Sequence, residues 1–446
     1  MLTRIQEHLK GVAVASIFVL MARLVAVAAG FLTTILVARW FGKEALGFVT
    51  LLTSFSAVFA MVACLGLGTF LMKEISAASD THGPGYTRGL YVRALLIVLV
   101  TATVLLVLVL PLFNGRAPDF ARAAPLPVLV LAAAAMVGHT VFQLNSQTIR
   151  GLQHILPFAV SLAAPPLTLF SIVLIAGLSV DETDPVLPSY AYMAAYVISA
   201  TVALPYIFSA IAKLPAQSRD SAHDVLRAKT MLNGAWPFFL SSVAALLITD
   251  GNLILASYFI PTAELGLYSV AVKISFLAGF ALTSVNMVVG PRFSKLSKNG
   301  SSAELIDFAK SSTALVFWAT APILLGLVVL GKWLIITFFG PDYLPVVPVL
   351  MILIAGQFIN ALTGISDAFL NMTGGHRILV IIVWTAVGVN VLLSVLLVPR
   401  FGITGSGIAL ASSIAIWNLT ALVTIRRRTG VWLYYSPFAA RKGRQA

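Results

Sequence analysis

Apolar stretches of about 20 residues or more recur from one end of this chain to the other, each long enough at 1.5 Å per residue to cross a hydrocarbon core of about 30 Å. They fall near residues 11–38, 45–72, 89–113, 125–149, 155–178, 187–212, 234–259, 265–290, 307–330, 344–371, 377–398 and 404–425. Twelve membrane-spanning helices are expected. Only 10% of the 446 residues are charged, against about 25% in soluble domains, so a water-soluble fold is excluded.

The net charge of +13 does not indicate a nucleic-acid partner, because the basic residues are dispersed among short loops beside apolar runs. With a cytoplasmic amino terminus, inside loops and tails hold 21 Lys or Arg and outside loops hold six. That bias follows the positive-inside rule and places both termini in the cytoplasm. A signal-peptide reading of the first run, with a site at Val27-Ala-Ala29, is disfavoured by Arg23 and by apolar character that continues to Val37. Cys64 is the single cysteine and lies in the second run, so neither a disulfide framework nor a cysteine metal site is expected.

The chain also repeats itself. Ala38-Arg-Trp-Phe-Gly-Lys-Glu-Ala-Leu-Gly47 returns about 220 residues later as Ala256-Ser-Tyr-Phe-Ile-Pro-Thr-Ala-Glu-Leu-Gly266, and Gly151-Leu-Gln-His154 returns as Thr373-Gly-Gly-His376. Six runs precede a polar stretch and six follow it. The expected organisation is an N-terminal lobe 1–213, a cytoplasmic linker 214–229, a C-terminal lobe 230–428 and a basic tail 429–446. Two six-helix repeats of the same orientation place a substrate path between them around a central cavity.

A charge at the centre of a membrane helix costs about 2.5 to 3.5 kcal/mol on insertion scales, so each one calls for a partner, water or a function. Arg23 lies about 18 Å from the cytoplasmic end of its run, while Asp250 and Lys273 lie about 13 Å from the outer ends of theirs. Two readings stand side by side. In one, Asp250 pairs with Lys273 or Arg23 and ties helices together. In the other, Arg23 and Lys273 face a hydrated cavity and attract an anionic substrate, with Asp250 positioning them or carrying a proton. A single acid cannot neutralise two cations.

In the tenth run Gln357, Asn360, Gly364, Asp367 and Asn371 follow steps of three and four, which predicts one polar helical face. At an offset of 221 the last four align with His139, Gln143, Ser146 and Arg150. His139 fits either a bonded core histidine or a proton relay. Gln143 and Asn360 are candidates for lining a substrate path, and Asp250, Asp367 and Arg150 for coupling or gating. Arg150 and Asp367 also lie near enough to the cytoplasmic end to reach headgroups. No phosphate-binding loop and no His-Glu-x-x-His motif occurs, so no cofactor is expected and transport must draw on a gradient or on the substrate's own potential.

Phe41-Gly42, Leu46-Gly47, Gly66-Leu-Gly68 before Lys73-Glu74, Asp250 with Asn252-Leu-Ile-Leu, Gly266-Leu-Tyr268 through Lys273, and Gly402-Ile-Thr-Gly405 together resemble the oligosaccharide-lipid flippases. These Wzx-type polysaccharide transporters share a superfamily with the multidrug and toxin extrusion exporters. The resemblance implies twelve helices in two lobes, alternating access, and a bacterial inner-membrane cargo of isoprenoid diphosphate bearing a short glycan. It implies that Arg23 and Lys273 suit the diphosphate, with H⁺ or Na⁺ as a coupling ion left open. A monomer is expected, with membrane lipids and the polymerase of the same pathway as partners. Murein lipid II flippases have similar cationic sites and usually fourteen spans. A cation or drug exporter would use acidic residues for its cargo, and a bundle-embedded glycosyltransferase would need a large outside loop.

Overall fold

A computed structural model describes residues 2–78, 83–114, 125–179, 184–215, 227–299 and 302–435. All regular structure among them is helical: α1 (Leu2–Leu36), α2 (Gly42–Cys64), α3 (Leu67–Ala78), α4 (Pro84–Asn114), α5 (Pro125–Gly151), α6 (Ile155–Ser179), α7 (Leu187–Ala212), α8 (Ala228–Ala256), α9 (Thr262–Asn299), α10 (Ser302–Phe339), α11 (Val346–Thr363), α12 (Ser366–Met372) and α13 (His376–Thr429). A π-helical turn, Val37–Phe41, joins α1 to α2. The chain is a multi-pass membrane protein.

Among the described residues, eight stretches are long and apolar enough to cross a membrane, or nine if the bent α8 is one span. Two of the eight are of double length. Phe18–Cys64 has 47 residues and His376–Thr429 has 54, each enough for two crossings. Both are interrupted at a glycine with positive φ, Gly42 at 84° and Gly402 at 55°. Counted as two crossings each, they bring the spans among the described residues to ten, or eleven with α8, against the twelve expected.

The chain divides into two compact units, Met1–Leu246 and Leu247–Ala446, and the division falls inside α8. That helix bends by 50° between Ala228–Leu240 and Ser242–Ala256, just after Pro237. The first arm belongs to the first unit. Met231 and Ala235 are buried in a core with Leu67, Leu71, Leu90 and Tyr91. Gly66, at φ 76°, sits so close to the α8 backbone that a Cβ there would lie 2.8 Å from Phe239 N.

In the first unit α5 is the central helix and packs on α2, α3, α4 and α7. In the second, α11 packs on α9, α10 and α13. Lipid tails are as apolar as leucine, so helices in a bilayer associate through close packing and polar bonds rather than through the hydrophobic effect. Both central helices meet the last helix of their repeat at a glycine. A Cβ on Gly138 would lie 2.9 Å from Val197 of α7, and one on Gly356 would lie 3.0 Å from Ala411 of α13. Polar bonds join the same helix pairs. Asn145 Nδ2 donates to the Ala200 carbonyl at 3.0 Å, and Thr363 Oγ1 donates to Asn418 Oδ1 at 2.9 Å. Each residue of the second pair lies 218 positions after its counterpart, as do Gly138 and Gly356.

This contact register corrects the alignment of the polar stripes. At 218 His139 corresponds to Gln357 rather than to Asn360. The stripe is also not one helical face, because α11 stops at Gly364, whose φ of 60° leaves the helical region, and α12 begins at Ser366. Nine residues separate Asn145 from His154, but thirteen separate Thr363 from His376. The second repeat carries four extra residues, and the break is where the chain absorbs them.

Candidate functional site

Arg23 of α1 is half-buried, and the guanidinium of Arg150, at the end of α5, lies in electrostatic range of it. Arg150 is exposed and rests 5.5 Å from the centre of the Phe158 ring. Two cations of the first unit, on separate helices, therefore stand in electrostatic range of one another. Their mutual repulsion is relieved by water or by an anion.

The second unit is arranged differently. Lys273 of α9 is open to solvent-sized space, although Val272 and Ile274 beside it are 8% and 2% exposed. Asp250 of α8 lies in electrostatic range of Lys273 and accepts a hydrogen bond from Thr249 Oγ1 at 3.1 Å. Of the two partners the sequence left open for Asp250, the one recorded beside it is Lys273. The basic group of this unit has an acidic neighbour, whereas Arg23 has a second base in electrostatic range.

His139 is bonded and stacked. Its Nδ1 lies 3.0 Å from the Tyr192 hydroxyl, and its ring stacks at 4.2 Å on Tyr196, with Phe142 edge-on to that tyrosine at 5.4 Å. Gln143 reaches only Met61 Sδ, at 3.8 Å, and is half-buried. Ser146 meets Ser161 at 3.2 Å. Asn360 Nδ2 donates to Gln357 Oε1 at 3.1 Å, one turn away on α11. Asp367 on α12 accepts from Trp417 Nε1 at 2.9 Å, tying α12 to α13. Asn371 is exposed and lies 3.0 Å from His376. The structure thus brings Arg23 to Arg150 and Asp250 to Lys273, and places His139 and Asp367 in separate polar bonds.

Sequence reasoning missed a buried polar network in the second unit. Asn252 Oδ1 accepts from the Tyr268 hydroxyl at 2.7 Å and from Ser406 Oγ at 3.0 Å, while its Nδ2 donates to Asn390 Oδ1 at 3.3 Å and Ser394 Oγ at 3.2 Å. Four stretches of chain, from α8, α9 and both arms of α13, are joined through one amide. The network holds no carboxylate. The i, i+4 spacing of Asn390 and Ser394 in an apolar run was the available signal. Among the described residues no group of three or more His, Cys, Asp or Glu is placed to hold a metal ion.

The sequence matches the family described as polysaccharide biosynthesis protein over residues 12–297. The chain belongs to that family. No curated protein sequence matches the chain. Among solved structures it resembles the lipid II flippase MurJ in an inward closed conformation, at 14% identity and a TM-score of 0.72, covering 92% of this chain and 87% of that one. It also resembles an inward-facing multidrug resistance MATE family transporter of the MOP superfamily, at 15% identity and a TM-score of 0.67, covering 94% and 98%. A third likeness is to a MOP superfamily transporter from Pyrococcus furiosus with reverse polarity of its binding pocket, at 13% identity and a TM-score of 0.58, covering 93% and 95%. At these identities the likeness shows the fold: this member of the polysaccharide biosynthesis protein family has the all-helical architecture shared by MurJ and the MATE transporters.

Proposed function

We propose that the chain is a flippase that carries isoprenoid-diphosphate-linked oligosaccharide from the inner to the outer leaflet of a bacterial inner membrane for polysaccharide assembly. The observation that carries this reading is Arg23, a half-buried base within the first apolar run, with a second base, Arg150, in electrostatic range of it. Guanidiniums in a membrane bundle suit a diphosphate, which accepts several charge-assisted hydrogen bonds at once. Lys273, beside Asp250, contributes less net positive charge. The glycan occupies water-filled space while the isoprenoid tail stays in lipid, and the two halves alternate in access. No covalent step is required, so the protein acts as a transporter rather than an enzyme.

The membrane potential supports outward movement of an anion. With the cytoplasm negative, each negative charge moved outward gains about 2.3 kcal/mol per 100 mV. The protein then chiefly lowers the barrier to moving a polar headgroup, with H⁺ or Na⁺ coupling as an addition and the pathway's polymerase as the receiving partner. A second reading, a cation or drug exporter, draws on the MATE-like fold. It is disfavoured by the excess of basic over acidic groups inside the bundle.

The test is to quantify isoprenoid diphosphate glycans by mass spectrometry in cells lacking the protein and in rescued cells. Accumulation reversed by rescue is expected and identifies the glycan. No accumulation, in cells that make the polymer and hold no second flippase, overturns the reading in favour of the exporter.

A further inference from the structure

The segment Gly430–Tyr435 turns back onto the second unit when α13 stops. Gly430, at φ 76°, reverses the backbone, and the turn is fixed by a hydrogen bond from the Val431 amide to Thr429 Oγ1 at 3.3 Å. Arg426 lies 5.8 Å from the centre of the Trp432 ring. Leu433 then enters the core of the second unit beside Ile365, Phe369 and Ile425, and is only 1% exposed. Tyr435 finishes the path. Its ring stacks on Phe317 of α10 at 4.3 Å and meets Trp318 edge-on at 5.9 Å, while its amide donates to the Leu362 carbonyl at 3.0 Å.

That carbonyl belongs to the last turn of α11, where helical carbonyls lose their partners and must be satisfied from elsewhere. The break at Gly364 removes the following turn, and the tail supplies a missing donor. Gly364 itself has no room to change shape by gaining a side chain, since a Cβ there would lie 3.0 Å from Thr313 Cα on α10. Tyr435 therefore bridges α10, through its ring, and the end of α11 that precedes the break, through its amide.

We propose that Gly430–Tyr435 is a detachable strap that holds α12 at its angle to α11 and must let go during the transport cycle. The strap is built to release. It is held by one buried leucine, one stack and one backbone bond outside any helix, so it opens without unfolding one. Its seat lies on a break that also carries an acid, Asp367, on its short distal helix. Release removes one restraint on α12 and leaves the Asp367–Trp417 bond to α13 as the other.

Hydrogen exchange of the full chain in lipid nanodiscs tests the restraint without reference to any cargo. Tyr435→Ala is expected to raise exchange at the amides of residues 362–372 by about tenfold or more, and Tyr435→Phe, which keeps the stack, to leave it as in the wild type. Unchanged exchange in Tyr435→Ala overturns the strap. The bearing on transport rests on the flippase reading and is tested with Phe317→Cys and Tyr435→Cys together in a Cys64→Ser background. Transport that stops on disulfide formation and returns on reduction supports obligatory release, and equal transport in both states overturns it. Loss of transport in both states counts against the flippase reading, and the exchange result then decides the strap alone.

Discussion

The Thr363 hydroxyl donates to Asn418 Oδ1 at the place in the second repeat where the Asn145 amide donates to the Ala200 carbonyl in the first. The groups differ, but the helices they join are equivalent. Asn145 is 0% exposed and also accepts from the Tyr91 hydroxyl at 2.7 Å, so removing it orphans that hydroxyl and takes a second donor from the Ala200 carbonyl. Asn145→Ala is expected to cost about 2 kcal/mol, and Thr363→Val about 1 kcal/mol, because the latter leaves Asn418 Oδ1 unserved while its Nδ2 still donates to Ile414. Thermal unfolding in detergent measures both, and equal, near-zero shifts would show that these bonds do not hold the repeats.

Charge in the first unit governs the proposed cargo site. Arg23→Gln and Arg150→Gln are each expected to lower flipping of lipid-linked oligosaccharide about tenfold or more, since a charge-assisted hydrogen bond contributes about 1.5 to 3 kcal/mol. Asp250→Asn leaves Lys273 beside a neutral amide and should keep transport well above either arginine variant. The three are compared in inverted membrane vesicles at matched expression. Wild-type rates in both arginine variants would remove the assigned anion site.

Two glycines should respond in opposite directions to the same change. Gly66 combines φ 76° with close contact to the first arm of α8, so Gly66→Ala is expected to destabilise by about 2 kcal/mol. Gly326 lies within α10 with nothing within 4 Å of its Cβ position, so Gly326→Ala should stabilise by about 0.5 to 1 kcal/mol. Melting temperatures that shift in the same direction would contradict the contact geometry.

His139 is stacked and bonded, which fits a core histidine. His139→Gln preserves a polar partner for Tyr192 and should retain transport with an unchanged dependence on external pH. Tyr196→Ala, which removes the stacking ring, should lower stability by about 1 kcal/mol or more. A flattened pH profile in His139→Gln would return the relay reading.

Helix-forming apolar runs and the duplicated loop were legible because bilayer thickness fixes their length and the two copies retain matching landmarks. The break at Gly364 was not. Its residues continue a three-and-four spacing, and only the left-handed backbone and the nearness of Thr313 stop the helix there. Asp250 and Lys273 were legible as charges in apolar runs, and their proximity became visible only in three dimensions. Arg150 was read as a coupling or gating candidate or a group able to reach headgroups, because its sequence distance from Arg23 carries no information about their electrostatic coupling. Asn252 was noticed as part of a motif, but its role as the junction of four stretches of chain depends on partners up to 154 positions away.

Four extra residues at Gly364 also bear on how far the halves of this chain are interchangeable. A duplicated unit starts as two identical parts, either of which can stand in for the other. A span with a break, a short distal helix and a carbonyl that takes its donor from the far end of the polypeptide can no longer be replaced by its counterpart α5, which runs unbroken from Pro125 to Gly151. A chimaera carrying two copies of the first half would keep the glycine contacts of the helix pairs and lose the only seat for the tail. The duplication has become a division of labour, with one half keeping a continuous rod where the other has acquired a joint.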